Sequence, residues 1–179
     1  MNELDILKDV STKLEKSGIN YMLSGSLAMS YYAQPRLTRD IDIVLELSSI
    51  FTNKFCGLFR DEYMVTEEMV NEAITHQSMF NIIHNQAIIK VDFIIRKNSK
   101  YRKTEFERRR KIKIGDFSTY IVSIEDLVIS KLDWLKESGS ELQKRDVKNL
   151  LNCKYDREYV KLWTEELGLD KTLREIIND

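Results

Sequence analysis

The sequence predicts an α+β protein, with a mixed β-sheet core over residues 1–122 flanked by helices and a helical region over 123–179 packed on it. Three observations carry that expectation. Residues 40–45 alternate strictly, with Asp40, Asp42 and Val44 on one side and Ile41, Ile43 and Leu45 on the other, the period of a strand with one buried face. Two apolar runs, 78–84 and 87–95, flank Asn85-Gln86 as the arms of an antiparallel hairpin would. From Ser123 onward the apolar spacing is helical throughout.

Taken in order, Leu4, Ile6, Leu7, Val10 and Leu14 mark a first helix over 3–16, stopped at Gly18. Tyr21 to Leu23 form a short strand, Ser24-Gly25-Ser26 a corner, and 27–33 a short helix ending before Gln34-Pro35, because proline pushes the preceding residue out of helical geometry. The strand of 39–46 follows. Ser48 and Ser49 are placed to cap a helix through about Phe59, with Phe51, Phe55, Leu58 and Phe59 inward. A short strand at 63–65 and a helical turn at 67–74 lead into the hairpin. Its second arm, AIIKVDFII, is apolar on both faces, as an interior strand is, and holds one acid, Asp92. A basic helix over 100–110 and a second hairpin, 111–114 with 117–122 around Gly115-Asp116, complete the core. Ser123 and Asp126 have capping-box spacing, and helices are expected over 124–138, 140–152, 156–167 and 170–178.

At 179 residues the chain suffices for one compact core, and 42% apolar with 32% charged residues is a soluble globular composition. No apolar run approaches a membrane span, and residues 1–18 are acidic and amphipathic, unlike a signal peptide. Cys56 and Cys153 form neither a metal-type cluster nor a disulfide framework. They read as structural cysteines in helical patterns, in a protein of the reducing cytoplasm. The net charge of −1 conceals an asymmetry: between Arg96 and Lys113 stand ten basic residues and two acidic ones, Glu105 and Glu107. With Tyr101 and Phe106 interleaved, that segment suits an RNA backbone or a nucleotide's phosphates, or it is a solvated helix face. His76 and His84 fit structural or exposed positions, and Trp134 and Trp163 fit helix packing.

Asp40 and Asp42 project side by side from one strand face, and like charges that close disfavour each other's ionisation unless a cation compensates. Magnesium, which takes hard oxygen ligands, is one compensation; an edge strand with two solvated aspartates is the alternative. Asp92, if its strand neighbours the first, adds a third acid. An acid in so apolar a run is usually paired or on a metal. The Gly25-Ser26 corner at a helix start offers backbone N–H groups to a phosphate, with glycine permitting close approach and the serine hydroxyl donating. A phosphate site beside three acids suits two-metal phosphoryl or nucleotidyl transfer.

Leu23-Ser24-Gly25-Ser26, then thirteen residues, Asp40-Ile41-Asp42-Ile43 and the later Asp92 together resemble the DNA polymerase β-like nucleotidyltransferase superfamily. The Pro-Arg-x-Thr-x-Asp-x-Asp lead-in looks like its small bacterial members, including the AbiEii-like toxins of toxin–antitoxin systems. Glu125 to Leu132 and Lys144 to Leu151 are similar to the helical region of that subgroup, where a lysine and a later aspartate complete the site. Here these are Lys131 and Asp146. Each lies in an apolar helical stripe, so they form either an ion pair joining two helices or a site in which Lys131 contacts a triphosphate and Asp146 orients it or the acceptor. One departure is Gly-Ser where many members have Gly-Gly.

The resemblance implies a magnesium-dependent transfer of a nucleoside monophosphate from an NTP, ATP among them, to a hydroxyl acceptor, with release of pyrophosphate. It assigns two Mg2+ ions to Asp40, Asp42 and Asp92, catalytic roles to those acids with Lys131 and Asp146, and nucleotide contacts to Gly25, Ser26, Arg39 and Lys131. Asp92 would take the acceptor's proton. Arg36 sits near the acids as a second phosphate contact or a charge offset. The toxin likeness implies a tRNA or other RNA acceptor held through the basic segment, and an antitoxin protein partner. An antibiotic-modifying nucleotidyltransferase is the alternative enzyme, and a catalytically degenerate nucleotide-binding or assembly protein the non-enzymatic one.

Overall fold

The computed structural model describes residues 1–35, 38 and 40–178. Helix α1 (Glu3–Ser17) starts where expected because Asn2 caps it: its side chain accepts from the amides of Leu4 and Asp5, and Asp5 returns a bond to the Asn2 amide. Its buried stripe of Ile6, Leu7, Val10 and Leu14 packs on β1 (Asn20–Leu23), β2 (Asp40–Glu46) and β7 (Phe117–Ile121). Helix α2 (Gly25–Tyr32) fills the β1–β2 connection. A 3-10 turn (Ser49–Phe51), α3 (Thr52–Phe59), β3 (Tyr63–Met64), α4 (Glu67–His76) and β4 (Met79–His84) then carry the chain to β5 (Lys90–Ile95). After α5 (Lys100–Glu107) and β6 (Arg110–Ile114), β7 leads to the helices α6 (Ile124–Ser138), α7 (Glu141–Leu151), α8 (Arg157–Glu166) and α9 (Asp170–Ile177).

The seven strands run in the order β3-β4-β5-β2-β1-β7-β6. The sheet is mixed: β2 pairs antiparallel with β1 and parallel with β5, in a register that sets Asp40 opposite Lys90 and Asp42 opposite Asp92. Strand β5, between β4 and β2, is interior, which explains its two apolar faces. Phe55 and Phe59 of α3 pack against Tyr63, Phe80 and Phe93 with ring centroids 5.0 to 5.8 Å apart. Phe93 lies on the α3 side of β5, so alternation turns Lys90 and Asp92 to the opposite face, which they share with Asp40 and Asp42. No helix is long and apolar enough to cross a membrane among the described residues.

Several local expectations differ. Neither Ser48 nor Ser49 caps α3; the 3-10 turn leads into it instead, and Phe51 is exposed rather than inward. Helix α5 stops at Glu107, because Arg110 already belongs to β6. Cys153 lies just beyond α7, half-buried, its thiol 3.3 Å from the Tyr32 carbonyl; Cys56 is buried in α3 as expected. Trp134 is exposed, whereas Trp163 is buried against Tyr101. The weak Asn85-Gln86 turn is held by buried His84, whose Nδ1 accepts from the Gln86 and Ala87 amides.

Half of the cations of the basic segment are paired within the chain. Arg102 bonds Glu105, Ser130 and Asp133; Arg108 bonds Glu125 and Asp126; Arg96 meets Glu46, Lys111 meets Glu15, and Lys100 meets Glu166. The acidic first turn of α6 recruits one of these cations, Arg108. Ser123 caps α6 by accepting from the Asp126 amide, while the buried Asp126 carboxylate accepts from the Ser123 hydroxyl, Arg108, Tyr101 and Tyr159 rather than from the Ser123 amide. Removing one member of so enclosed a network strands the others. Asp126→Ala is expected to cost about 3 kcal/mol in urea unfolding. Arg108→Ala should cost less, because the arginine is part-exposed; equal costs would contradict this ranking.

Candidate active site

The site is built where β1, β2 and β5 meet α2. Gly25 turns the chain from strand to helix at φ +61, a left-handed conformation that side-chain-bearing residues resist. The Ser24 amide donates to the Asp42 carbonyl at 2.9 Å, tying the corner to β2. A methyl group on Gly25 would collide with Asp42, reaching 2.7 Å from its Cβ and overlapping its carboxylate. Glycine is therefore required for Asp42 to close on the corner, a reason the sequence did not reveal. The Ser26 amide hydrogen-bonds the same carboxylate.

Asp42 and Asp92 are cross-strand partners on one face, and Asp40 lies at the mouth, exposed. Burial first, then the neighbouring charge of Asp92 and, more weakly, Asp40, pushes the Asp42 carboxyl above the usual range; the Ser26 amide and Lys131 pull it back. Asp92 is 5% exposed, and its Oδ1 is buried without a hydrogen-bond partner. Its Oδ2 meets Lys90 Nζ at 2.9 Å, and the same ammonium stands 3.6 Å from Asp40 Oδ1. Lys90 was not anticipated. Its signal lay in AIIKVDFII, where a lone cation two residues before the acid shares its face.

Lys131 and Asp146 are both buried and form an ion pair at 2.8 Å, with Gln143 Oε1 a second partner of the ammonium at 3.1 Å. The pair joins α6 to α7, and Lys131 is also near enough to Asp42 to attract its charge. Gln143, one turn before Asp146, likewise went unnoticed in sequence. The structure thus gathers Gly25, Ser26, Asp40, Asp42, Asp92 and Lys131 around one corner, with Asp146 behind Lys131. Arg36 and Arg39 lie outside the described residues.

A divalent ion fits this donor set. The orphaned Asp92 oxygen beside the Asp42 carboxylate is unsatisfied negative charge, and hard oxygens are what Mg2+ takes. No three His, Cys, Asp or Glu side chains among the described residues close into a ready-made cage. Lys90 stands between Asp40 and Asp92 instead.

The fold is one shared with solved nucleotidyltransferase-like proteins. No family model matches the chain, and no curated protein matches it by sequence. Solved structures do. An antigenic nucleotidyltransferase-like protein from Paracoccidioides brasiliensis aligns over 83% of this chain and 74% of its own, with TM-score 0.55 and 17% identity. The lincosamide antibiotic adenylyltransferase LnuA, lincomycin-bound, aligns over 86% of this chain and 99% of its own, with TM-score 0.54 and 17% identity. The antibiotic-resistance factor ANT(2'')-Ia aligns over 95% and 89%, with TM-score 0.55 and 11% identity. At such identities the likeness is one of fold.

Two outcomes follow from the corner. Gly25→Ala should cost about 1–2 kcal/mol for its backbone alone, plus the displacement of Asp42. Made on an Asp42→Gly background, which removes the Cβ as well as the carboxylate, it should cost only the backbone part. Equal costs on both backgrounds, by urea unfolding, would refute the steric coupling. A raised carboxyl binds its proton more tightly folded than unfolded. The contribution of Asp42 to metal-free stability is therefore greatest below the ordinary aspartate pKa of about 4 and is lost as pH rises through the folded value. Asp42→Asn should raise the metal-free Tm at pH 7 and leave it nearly unchanged at about pH 4. A lower Tm at pH 7 would contradict the charge repulsion.

Proposed function

We propose that the chain is a magnesium-dependent nucleotidyltransferase, moving a nucleoside monophosphate from an NTP to a hydroxyl acceptor and releasing pyrophosphate. The observation that carries this reading is the pairing of Asp42 with Asp92 on one sheet face, with Asp92 Oδ1 unsatisfied and the Gly25 corner closed on Asp42. Asp40, Asp42 and Asp92 would hold magnesium, which supplies charge neutralisation for the carboxylates and the triphosphate.

The chain's own groups divide the remaining work. The start of α2 at Gly25 and Ser26 faces phosphate oxygens with its amides and the serine hydroxyl. The Ser26 amide is the one shared, since it already bonds Asp42. Lys131, held by Asp146 and Gln143, directs its positive charge toward the acid cluster, where a triphosphate would lie. Asp92 Oδ1, free of other partners, receives the acceptor hydroxyl's proton as that oxygen attacks the α-phosphorus. Arg39 is assigned to the phosphates from the sequence resemblance alone.

For the acceptor, two readings are carried. An RNA acceptor, as in a toxin of a toxin–antitoxin pair with an antitoxin partner, rests on the sequence likeness to AbiEii-like proteins. The internal pairing of half the basic segment weakens it, leaving Lys97, Lys103, Arg109, Arg110 and Lys113 without an ion pair among the described residues. A small-molecule hydroxyl is favoured by the shared fold of an antibiotic adenylyltransferase that this chain spans almost entirely. The test is incubation with each α-labelled NTP and Mg2+, separately with total RNA and with a panel of hydroxylated antibiotics. Label should pass to one acceptor class, and Asp42→Asn should reduce transfer at least about 100-fold. No transfer from any NTP to either class, or full activity in Asp42→Asn, would overturn the reading.

A further inference from the structure

Lys90 lies where a cation bridging Asp40 and Asp92 would lie. Being two residues before Asp92 on β5, it shares that residue's face; being opposite Asp40 in the parallel register, it also reaches across to β2. Its ammonium contacts Asp92 Oδ2 at 2.9 Å and Asp40 Oδ1 at 3.6 Å, so one positive charge serves both acids. A lysine ammonium is a compact point charge with three donors, able to face two carboxylates at once.

The charges are informative. Asp40, Asp42 and Asp92 together carry three negative charges when ionised, and Lys90 returns one. Among these four described side chains the remainder equals one divalent ion, and it is concentrated where Asp92 Oδ1 is buried without a partner beside Asp42. Lys131 offsets it only in part, because it shares its charge with Asp146, its partner at 2.8 Å.

We propose that Lys90 is a resident counter-cation in the place of one of the two ions a three-acid transfer site would bind, so that the site takes a single divalent ion with its NTP. This rests on the metal-dependent transfer reading above. Lys90 is then a positioning residue: it holds Asp40 and Asp92 in register and leaves Asp92 Oδ1 and Asp42 to the ion and the acceptor.

The test counts ions rather than turnover. Mn2+ bound per chain is measured from the free-ion EPR signal, with saturating α,β-methylene ATP, for the wild type, Lys90→Met and Lys90→Arg. Methionine keeps the length of the side chain and removes its charge; arginine keeps the charge. The expected result is one ion for wild type and for Lys90→Arg, and one further ion per chain for Lys90→Met. Circular dichroism confirms that each variant is folded. Two ions in the wild type, or a single ion in folded Lys90→Met, would overturn the proposal while leaving the transfer reading intact. No Mn2+ bound with the nucleotide by any of the three proteins would sink the transfer reading, and this proposal with it.

Discussion

The structure depends on one register. Pairing β2 with β5 in parallel, with Asp42 opposite Asp92, forces two carboxylates together on a face the fold then covers. Most of the site answers that repulsion. The Ser26 amide hydrogen-bonds Asp42, Lys90 bridges Asp40 and Asp92, and Lys131 draws near from α6. A chain selected for stability alone would place apolar residues there, as it does on the opposite face with Ile41, Ile43, Val91 and Phe93. Retained repulsion is the cost that the proposed cation site would impose on the metal-free fold.

Positioning Lys131 is a second problem, and the basic segment contributes to its solution. Helix α6 starts immediately after β7, and its first turn carries Glu125 and Asp126. Arg108 and Tyr101 from the α5 region, and Tyr159 from α8, converge on those acids, while Arg102 grips Asp133 farther along. The helix that presents Lys131 is thereby fixed against the sheet on one side and, through Asp146, against α7 on the other. Part of a cluster that in sequence suits either a nucleic-acid surface or a solvated helix face acts as a clamp on α6.

The clamp shows where sequence stops. Arg108 and its partners Glu125 and Asp126 are 17 and 18 positions apart, so no local period links them, and the segment shows only its charge. Strand β2 was legible because Ile41, Ile43 and Leu45 alternate with polar positions, and the helices after Ser123 because their stripes run through several turns. Short windows misled: Phe51 and Trp134 match an inward spacing yet are exposed. The three acids could be named from spacing and resemblance, but which strand neighbours which is a long-range fact. The roles of Lys90 and Gln143, and the contact that demands glycine at 25, became visible only once β2, β5, α2 and α7 were placed.

The central claim is that this acid corner holds a divalent ion against a nucleotide triphosphate. The most direct measurement is the anomalous scattering of Mn2+ in crystals grown with a non-hydrolysable NTP. The account predicts a manganese peak between Asp42 and Asp92, with the triphosphate on the Gly25-Ser26 corner. Nucleotide bound elsewhere, or bound at this corner with no manganese between those carboxylates, would contradict it.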